Sequence, residues 1–153
     1  MSIPTAMTAG VTKAGSSVDG VVWNILGQTY TPLHRTDSSF SWHAIFPPGT
    51  FVPPHVHPTQ DEFIYMLSGR LDLLLDGAPA DAGDGALVRL PRAVPHGLFN
   101  NSGKEVTCLF WVSPAQTLWE LFEKISNVAD PAEVVRLAAL HEVNFLPPGK
   151  APR

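Results

Sequence analysis

The sequence predicts an all-β fold that ends in two short helices. Fifteen prolines and twelve glycines, against 16% charged residues, break the chain into many short segments. Short segments separated by glycine and proline are typical of β-sandwiches and β-barrels. After residue 112 the spacing of apolar residues changes from a strand-like to a helix-like period. With 153 residues, the chain is long enough for one domain with a full hydrophobic core.

The segment from residue 21 to residue 112 alternates strand-forming runs with turn signals. Asp76-Gly77 is the strongest of these signals and predicts a tight hairpin. The predicted strands cover residues 21–26, 28–33, 39–46, 51–57, 62–68, 70–75, 85–90, 95–100 and 105–112. Residues 1–20 are small and polar, and we expect them to form a loose arm that packs on a neighbour.

Two amphipathic helices are predicted after the strands. Ser113-Pro114-Ala115-Gln116 offers an N-cap, a proline at the first helical position and a glutamine at the third. Asp130-Pro131-Ala132-Glu133 repeats this start signal. The predicted apolar stripes are Leu118, Leu121, Phe122 and Ile125, then Val134, Leu137, Ala138 and His141. Because a short amphipathic helix is not stable alone, we expect this pair to cover the outside of the β-domain or a partner subunit.

Charge and apolar content restrict the expected partners. The formal net charge is −4, and no cluster of Lys and Arg is present, so nucleic acid is not an expected partner. No apolar run approaches the roughly 18 residues that a membrane span needs, and the first residues contain no apolar signal segment. Cys108 is the single cysteine, which suits a reducing cytoplasm. We therefore expect a cytoplasmic protein whose partner is a small molecule.

Three histidines and one glutamate have the spacing of metal ligands. His55 and His57 lie two apart on a predicted strand, so both imidazoles project to one face. Glu62 opens the next strand after a short polar turn, and His96 opens a later one. These side chains converge only if the strands wrap around a common interior, which a closed barrel provides. Imidazole and carboxylate suit a divalent Fe, Ni, Mn, Co, Cu or Zn ion, and the spacing does not choose between them.

The segments around these residues resemble the two sequence motifs of the cupin family. Residues 49–69 read G-x5-H-x-H-x4-E-x6-G, which is similar to the first motif. Residues 85–100 read G-x5-P-x-A-x2-H-x3-N, which is similar to the second motif except that Ala93 replaces the usual glycine. Fifteen residues separate the two motifs, a spacing typical of microbial cupins. The resemblance is strong over residues 40–112 and weakens toward both ends.

This resemblance implies a double-stranded β-helix, or jelly-roll, barrel that binds one divalent transition metal through His55, His57, Glu62 and His96. Within the family, the chain looks most similar to small monocupins of the quercetin 2,3-dioxygenase type. In that group the metal organises substrate and dioxygen, and the carboxylate at the position of Glu62 acts as a catalytic base. The expected division of the chain is an arm (1–20), a cupin barrel (21–112), a helical extension (113–146) and a tail (147–153).

Strand alternation predicts the lining of a substrate pocket, because residues two apart on a strand face the same side. The sets that this rule places with the ligands are Glu62-Ile64-Met66-Ser68, His96-Leu98-Asn100 and Phe51-Pro53-His55. The strand before the first motif has two faces, and one of them must line the interior. One face carries Phe40, Trp42, Ala44 and Phe46, and the other carries Ser41, His43 and Ile45. Packing favours the aromatic face as the inward one. The predicted substrate pocket consists of Phe51, Ile64, Met66, Leu98, Phe40, Trp42 and Phe46. Such a pocket suits a flat or branched organic ligand with an oxygen that reaches the metal.

Three functions are compatible with these sequence features. The first is a metal-dependent oxygenase, in which Glu62 or a metal-bound hydroxide takes a proton from a substrate enol, phenol or diketone and dioxygen is the second substrate. The second is a redox-neutral lyase, isomerase or cyclase that uses the same enolate chemistry, and the third is a metal- or ligand-binding module without turnover. In each case we expect a homodimer paired through sheet edges. We expect His34, His43 and His141 to be structural, with His43 a candidate polar neighbour of the ligands.

Overall fold

The computed structural model describes residues 7–147 of the chain. In this part eleven strands form two antiparallel sheets, and two helices lie between the last two strands. The strands are β1 (Trp23–Ile25), β2 (Gln28–Arg35), β3 (Phe40–Phe46), β4 (Phe51–Val56), β5 (Asp61–Ser68), β6 (Leu71–Leu75), β7 (Ala78–Ala82), β8 (Leu87–Leu90), β9 (His96–Phe99), β10 (Val106–Ser113) and β11 (Asn144–Phe145). The helices are α1 (Leu118–Ile125) and α2 (Pro131–Ala139), and a short 3₁₀ turn spans Val18–Gly20. The predicted all-β fold with two C-terminal helices is confirmed.

The two sheets enclose one core. One sheet has the order β1-β2-β3-β10-β5-β8, and the other has the order β11-β4-β9-β6-β7. Strands that pair are therefore often far apart in sequence, as in a jelly roll, where the chain passes back and forth between two sheets. A single buried cluster contains side chains from both sheets and both helices. The chain thus forms the predicted jelly-roll barrel.

Strand β3 carries the aromatic face of this core. Phe40, Trp42 and Phe46 are at most 2% exposed, whereas His43 is half-buried. The register with β10 runs without interruption from Phe46 opposite Val106 to Phe40 opposite Val112. Because alternate residues of an unbroken ladder share a face, the aromatic set points inward, as predicted, and His43 does not.

Two strands were not predicted. Strand β7 reads Ala-Pro-Ala-Asp-Ala and only Ala82 is buried, so neither β-branched residues nor an apolar alternation indicates a strand. Its position follows from the predicted hairpin at Asp76-Gly77. Both turn residues have positive φ angles of 52° and 80°, and Leu75 pairs directly with Ala78. The second missed strand, β11, has two residues and adds to the edge of β4.

One of the two predicted helix starts is confirmed and the other is wrong. The carboxylate of Asp130 accepts a hydrogen bond from the N–H of Ala132 (3.0 Å), so it caps α2 as expected. Ser113, by contrast, belongs to β10, and its hydroxyl donates to the carbonyl of Ser38 (3.1 Å) instead of capping a helix. Gln116 has a φ of 48°, which a right-handed helix does not accommodate, so α1 begins only at Leu118.

The helices cover the mouth of the barrel and not its outer surface. All four residues of the predicted α1 stripe are buried. The ring of Phe122 lies 5.1–5.5 Å from the rings of Trp23, Tyr30 and Trp42, which belong to the barrel interior. In α2 the stripe residues Val134 and Ala138 are buried. These contacts correct the expectation that the helices pack on the outside: their apolar stripes complete the core at one end of the barrel.

The ends of the chain were predicted to form an arm and a tail. Residues 1–6 of the arm and 148–153 of the tail lie outside the described residues. Residues 7–17 contain neither helix nor strand, and the hydroxyl of Thr12 donates to the carbonyl of Leu33 (2.9 Å). Within residues 7–147, no helix has the length and apolar character needed to cross a membrane. The cytoplasmic location and the exact domain limits stay predictions.

Candidate metal centre

A bulge in β4 sets the direction of the first two histidines. The register with β9 shifts between Val52, which lies opposite Leu98, and His55, which lies opposite His96. The intervening Pro53 and Pro54 have no N–H to donate, so they cannot maintain a regular ladder. As a result Val52 and His55 both point inward, at 8% and 5% exposure.

This bulge overturns the predicted alternation on β4. Phe51, which was expected in the pocket, is 49% exposed and stacks on Phe99 with ring centroids 5.9 Å apart. Pro53 is only partly buried. The extra residue of the bulge moves the inward face from the Phe51-Pro53-His55 set to Val52, His55 and His57.

The predicted convergence of four polar side chains is confirmed. One ligand atom from each of His55, His57, Glu62 and His96 lies within 4.8 Å of the others. All four residues are buried, with exposures between 2% and 5%. The imidazole centroids are 4.4 Å apart for His55 and His96, and 5.1 Å apart for His55 and His57. Four side chains from β4, β5, β9 and the loop after β4 therefore share one point inside the barrel.

The three imidazoles are held by hydrogen bonds on their Nδ1 atoms. Nδ1 of His55 lies 2.8 Å from the carbonyl of Pro53, and Nδ1 of His96 lies 3.1 Å from the carbonyl of Val94. Nδ1 of His57 lies 2.9 Å from Oε1 of Gln60. A carbonyl oxygen accepts but cannot donate, so each Nδ1 carries the hydrogen and each Nε2 is the atom left for the centre. Metal-binding histidines in proteins are oriented in this way.

Charge interactions within the cluster favour an ionised glutamate. Burial raises the pKa of Glu62, but the neighbouring His57 more than compensates, and the pKa lies below its usual value. Burial lowers the pKa of His57, whereas the charge of Glu62, at 3.0 Å between Oε1 and Nε2, raises it above the ordinary value. Burial and the two neighbouring imidazoles place the pKa of His55 well below 6.5, so its Nε2 lone pair is free.

The donor set fits a divalent transition metal. Nε2 of His96 is buried and makes no hydrogen bond, and the only polar atoms close to Oε1 of Glu62 among the described residues are Nε2 of His57 (3.0 Å) and Nε2 of His96 (3.5 Å). Leaving such atoms unsatisfied costs about 1–3 kcal/mol each, and a cation bound between them removes that cost. Three imidazole nitrogens and one carboxylate oxygen suit Fe, Ni, Mn, Co, Cu or Zn. Cys108 is not in the cluster, and burial raises the pKa of its thiol to about 12.

A narrow apolar cavity leads to the cluster. It is lined by His55, His57 and Glu62 at one side, by barrel residues such as Tyr30, Trp42 and Leu98, and by α1 and α2. Its volume is about 50 Å³. Pockets for drug-sized ligands have volumes of about 300–1,000 Å³. The cavity is therefore too small for a ligand with aromatic rings, and α1 and α2 form part of its wall.

The predicted pocket residues divide into three groups. Trp42 and Leu98 line the cavity, as expected. Four others are buried in the core, with 0% exposure, but do not line the cavity. These are Phe40, Phe46, Ile64 and Met66. Phe51 lies outside, as described above. Ser68 was expected on the inward face but is exposed, because the register of β5 with β10 shifts between Thr107 and Cys108.

The cavity also contains residues that sequence reasoning did not assign to it. The α1 stripe lines it through Leu118, Leu121, Phe122 and Ile125. Their helical spacing was visible in the sequence, but spacing does not show which surface a stripe packs against. Tyr30 lines the cavity as well, and its hydroxyl donates to Oε1 of Gln28 (2.9 Å). Gln60, the partner of His57, was also missed, although it lies three residues from that histidine.

Two further residues of the second motif, Asn100 and Ala93, make contacts that hold the backbone in place. Asn100 donates to the carbonyls of Phe46 (2.8 Å) and Lys104 (2.7 Å), which joins the end of β3 to the loop before β10. Ala93, which replaces the usual motif glycine, has a φ of 67°, and its N–H donates to the carbonyl of His57 (2.9 Å). The alanine thus adopts the left-handed conformation that glycine adopts without strain. Within the described residues, the cluster does not include His34, His43 or His141.

Comparisons with known proteins agree with this fold. The structure of KdgF from Halomonas sp. superposes with a TM-score of 0.65 at 17% identity, over 73% of this chain and 99% of that one. An RmlC-like cupin from Shewanella frigidimarina superposes with a TM-score of 0.64 at 17% identity, over 73% of this chain and 96% of that one. At this level of identity the similarity shows the fold alone.

Two sequence relatives come from Streptomyces. "Polyketide synthase CurC" of Streptomyces cyaneus is 35% identical over 79 residues, which are 50% of this chain and 50% of the relative. "Protein SchB" of Streptomyces halstedii is 30% identical over 77 residues, which are 50% of this chain and 56% of the relative. The chain thus spans about half the length of these curated relatives. The family model described as "Cupin domain" matches residues 42–112, the segment that contains both motifs and all four cluster residues. This match identifies residues 42–112 as a segment of the Cupin domain type, and the jelly-roll fold agrees with it.

Proposed function

We propose that this protein is a metal-dependent oxygenase that acts on a small organic substrate with an enol, phenol or diketone oxygen. The observation that carries the proposal is the buried cluster of three Nε2 atoms and one carboxylate at the side of an apolar cavity. The cluster residues His55, His57, Glu62 and His96 would hold the metal. When bound, the metal supplies Lewis-acid polarisation of a substrate oxygen and open coordination positions for two reactants.

The cavity supports an aromatic or enolisable substrate of the polyketide type. Its lining is apolar except for the cluster, the hydroxyl of Tyr30 and the indole of Trp42. Nε1 of Trp42 is buried and has no hydrogen-bond partner among the described residues. A substrate carbonyl or hydroxyl oxygen would satisfy this N–H, while aromatic neighbours such as Phe122 would contact its rings. The name of the Streptomyces cyaneus relative, a polyketide synthase, points to the same class of compound.

Glu62 is the residue that we propose as the base. Its carboxylate is buried in the cavity wall, beside the Nε2 atoms of His57 and His96. An ionised carboxylate next to a substrate hydroxyl accepts the proton as the enolate or phenolate forms. Closure by α1 and α2 keeps bulk water from the cavity, which preserves the reactive anion for the second reactant.

The test is oxygen consumption by the protein loaded with Fe²⁺ or Ni²⁺ and given diketones, flavonols or polyhydroxynaphthalenes. We expect uptake of one dioxygen for each substrate molecule lost. Glu62→Gln should lower the rate by about 10²–10⁴-fold, the usual contribution of a general base. The matched control is Asp61→Asn, because Asp61 is the neighbouring carboxylate but points to Arg92 on the surface (3.2 Å). An equal loss in both variants would contradict the role of Glu62.

A redox-neutral cyclase is the second candidate, and the polyketide synthase name of the relative favours it. Enolate formation by Glu62 is common to both reactions, so only the fate of dioxygen separates them. Metal-dependent loss of substrate without oxygen uptake, with a product that has gained no oxygen atom, would support the cyclase. Tight substrate binding without any turnover would instead identify a binding module.

The homodimer stays a prediction. The outer face of β5 and β8 exposes Tyr65, Leu67 and Leu87 at 41%, 45% and 45%, and Tyr65 pairs with Leu87 in the sheet. Adjacent exposed apolar side chains of this kind favour a symmetric contact between two copies of the chain. Light scattering should give twice the monomer mass of 16.5 kDa, and a monomer at micromolar concentration would contradict the prediction.

A further inference from the structure

Gln60 joins the candidate metal centre to the segment that leads into α1. Its side chain is 3% exposed, in the loop between β4 and β5. Oε1 lies 2.9 Å from Nδ1 of His57. Nε2 donates two hydrogen bonds, to the carbonyls of Pro114 (3.0 Å) and Ala115 (2.8 Å). All the polar atoms of this buried amide therefore have partners, and these partners lie on two separate parts of the chain.

The two backbone carbonyls determine which way the amide points. They accept hydrogen bonds and cannot donate them, so they require the NH₂ end of Gln60. The oxygen end must then face His57, and this oxygen requires a hydrogen on Nδ1. The carbonyls of Pro114 and Ala115 thus fix, through Gln60, the orientation of the His57 ring that directs Nε2 toward the cluster.

His57 differs in this respect from the other two histidines. The Nδ1 partners of His55 and His96 are backbone carbonyls two residues away in the same strand or loop. Their orientation is therefore set locally. The orientation of His57 depends on a side chain whose own position depends on residues more than fifty positions away.

The remote residues are part of the cover of the cavity. Residues 114–117 connect β10 to α1, and the α1 stripe lines the cavity. A second link joins the same two segments, since Nε2 of Gln116 donates to the hydroxyl of Thr59 (3.0 Å). An outward movement of α1 that admits a ring-containing substrate would displace the carbonyls that orient Gln60.

We propose that Gln60 is a positioning residue that orients His57 for metal binding and couples metal binding to closure of α1 over the cavity. The proposal rests on the metal centre of the proposed function but not on the reaction performed there. Because coupling between two sites is reciprocal, a metal that requires the oriented His57 also favours the closed position of α1. Gln60 touches neither metal nor substrate in this account and acts through His57.

The test compares Gln60→Met with the matched control Gln116→Met. Methionine keeps most of the side-chain volume and removes the hydrogen bonds, but only Gln60 contacts a cluster histidine. Co²⁺ binding is measured by the visible absorption of the bound ion, and amide hydrogen exchange of residues 118–125 is measured with and without Co²⁺. Loss of an outer hydrogen bond to a ligand typically weakens metal binding by about 10–100-fold. We expect this loss in Gln60→Met, together with loss of the Co²⁺-induced slowing of exchange in α1, whereas Gln116→Met should keep the wild-type Co²⁺ affinity.

A second variant separates the two parts of the proposal. Gln60→Glu keeps an acceptor for Nδ1 of His57 but cannot donate to the two carbonyls while ionised. We expect it to bind Co²⁺ more tightly than Gln60→Met does, yet to lose the slowing of exchange in α1. This variant also carries the test if Gln60→Met does not fold. Wild-type Co²⁺ affinity in Gln60→Met, or equal losses in Gln60→Met and Gln116→Met, would overturn the proposal while leaving the metal centre intact. Failure of the wild-type protein to bind Co²⁺ would overturn the metal centre itself.

Discussion

Removal of the Phe122 ring should weaken the packing of α1 on the barrel. Phe122 is 7% exposed, and its ring lies within 6.0 Å of the rings of Trp23, Tyr30, Phe40 and Trp42. The loss of a buried aromatic side chain costs about 3–5 kcal/mol, which combines the lost transfer free energy and the cavity left behind. Because the new space joins a cavity that already exists beside Phe122, we expect the lower end, about 3 kcal/mol.

Urea unfolding followed by tryptophan fluorescence measures this change for Phe122→Ala. For a chain of this size, about 3 kcal/mol corresponds to a decrease in Tm of about 6–12 °C. The matched control is Phe51→Ala, since Phe51 is 49% exposed and stacks only on Phe99 among the aromatic contacts of the described residues. We expect its cost to be about 1 kcal/mol or less. A cost below about 1 kcal/mol for Phe122→Ala would refute the conclusion that α1 completes the core.

Three further predictions concern the metal, acid and a single backbone position. Zn²⁺ at 100 times its Kd should stabilise the wild-type protein by about 2.7 kcal/mol, measured as a shift in a thermal melt. The variant His57→Ala should show no such shift. An equal shift in the variant would count against these four residues as the ligands. Acid should release the metal as pH falls from about 6.5 toward 4, because protons compete for the imidazoles while the lowered pKa of Glu62 keeps its carboxylate ionised. Full occupancy at about pH 4, measured by elemental analysis after dialysis, would contradict a site with three histidines. Ala93→Gly should raise the free energy of unfolding by up to about 1 kcal/mol, because glycine adopts the φ of 67° without strain. A lower free energy of unfolding in urea would show that the φ of Ala93 is not strained.

The convergence of His55, His57, Glu62 and His96 could be predicted because the information for it is local. His55 and His57 share a face through a two-residue step, and the sequence motifs place Glu62 and His96 near the starts of two other strands. The jelly roll brings these strands together through pairings such as His55 with His96. The prediction therefore needed the spacing within short segments, the resemblance to the two cupin motifs and a closed barrel.

The cavity could not be predicted in the same way, because it depends on contacts between distant segments. The bulge at Pro53 and Pro54 changed which side of β4 faces inward, and alternation alone does not reveal where a ladder shifts. The apolar stripe of α1 was visible in the sequence, but its packing against Tyr30 and Trp42 depends on the tertiary structure. The role of Gln60 likewise depends on two carbonyls that the fold brings next to it.

The central claim is that the side chains of His55, His57, Glu62 and His96 bind one metal ion. A crystal structure of the metal-loaded protein, with diffraction data on both sides of the metal absorption edge, tests this claim most directly. We expect a single anomalous peak at about 2.0–2.2 Å from the three Nε2 atoms and one Glu62 oxygen. A peak elsewhere, or an anomalous map without a peak among these four side chains, would contradict the account.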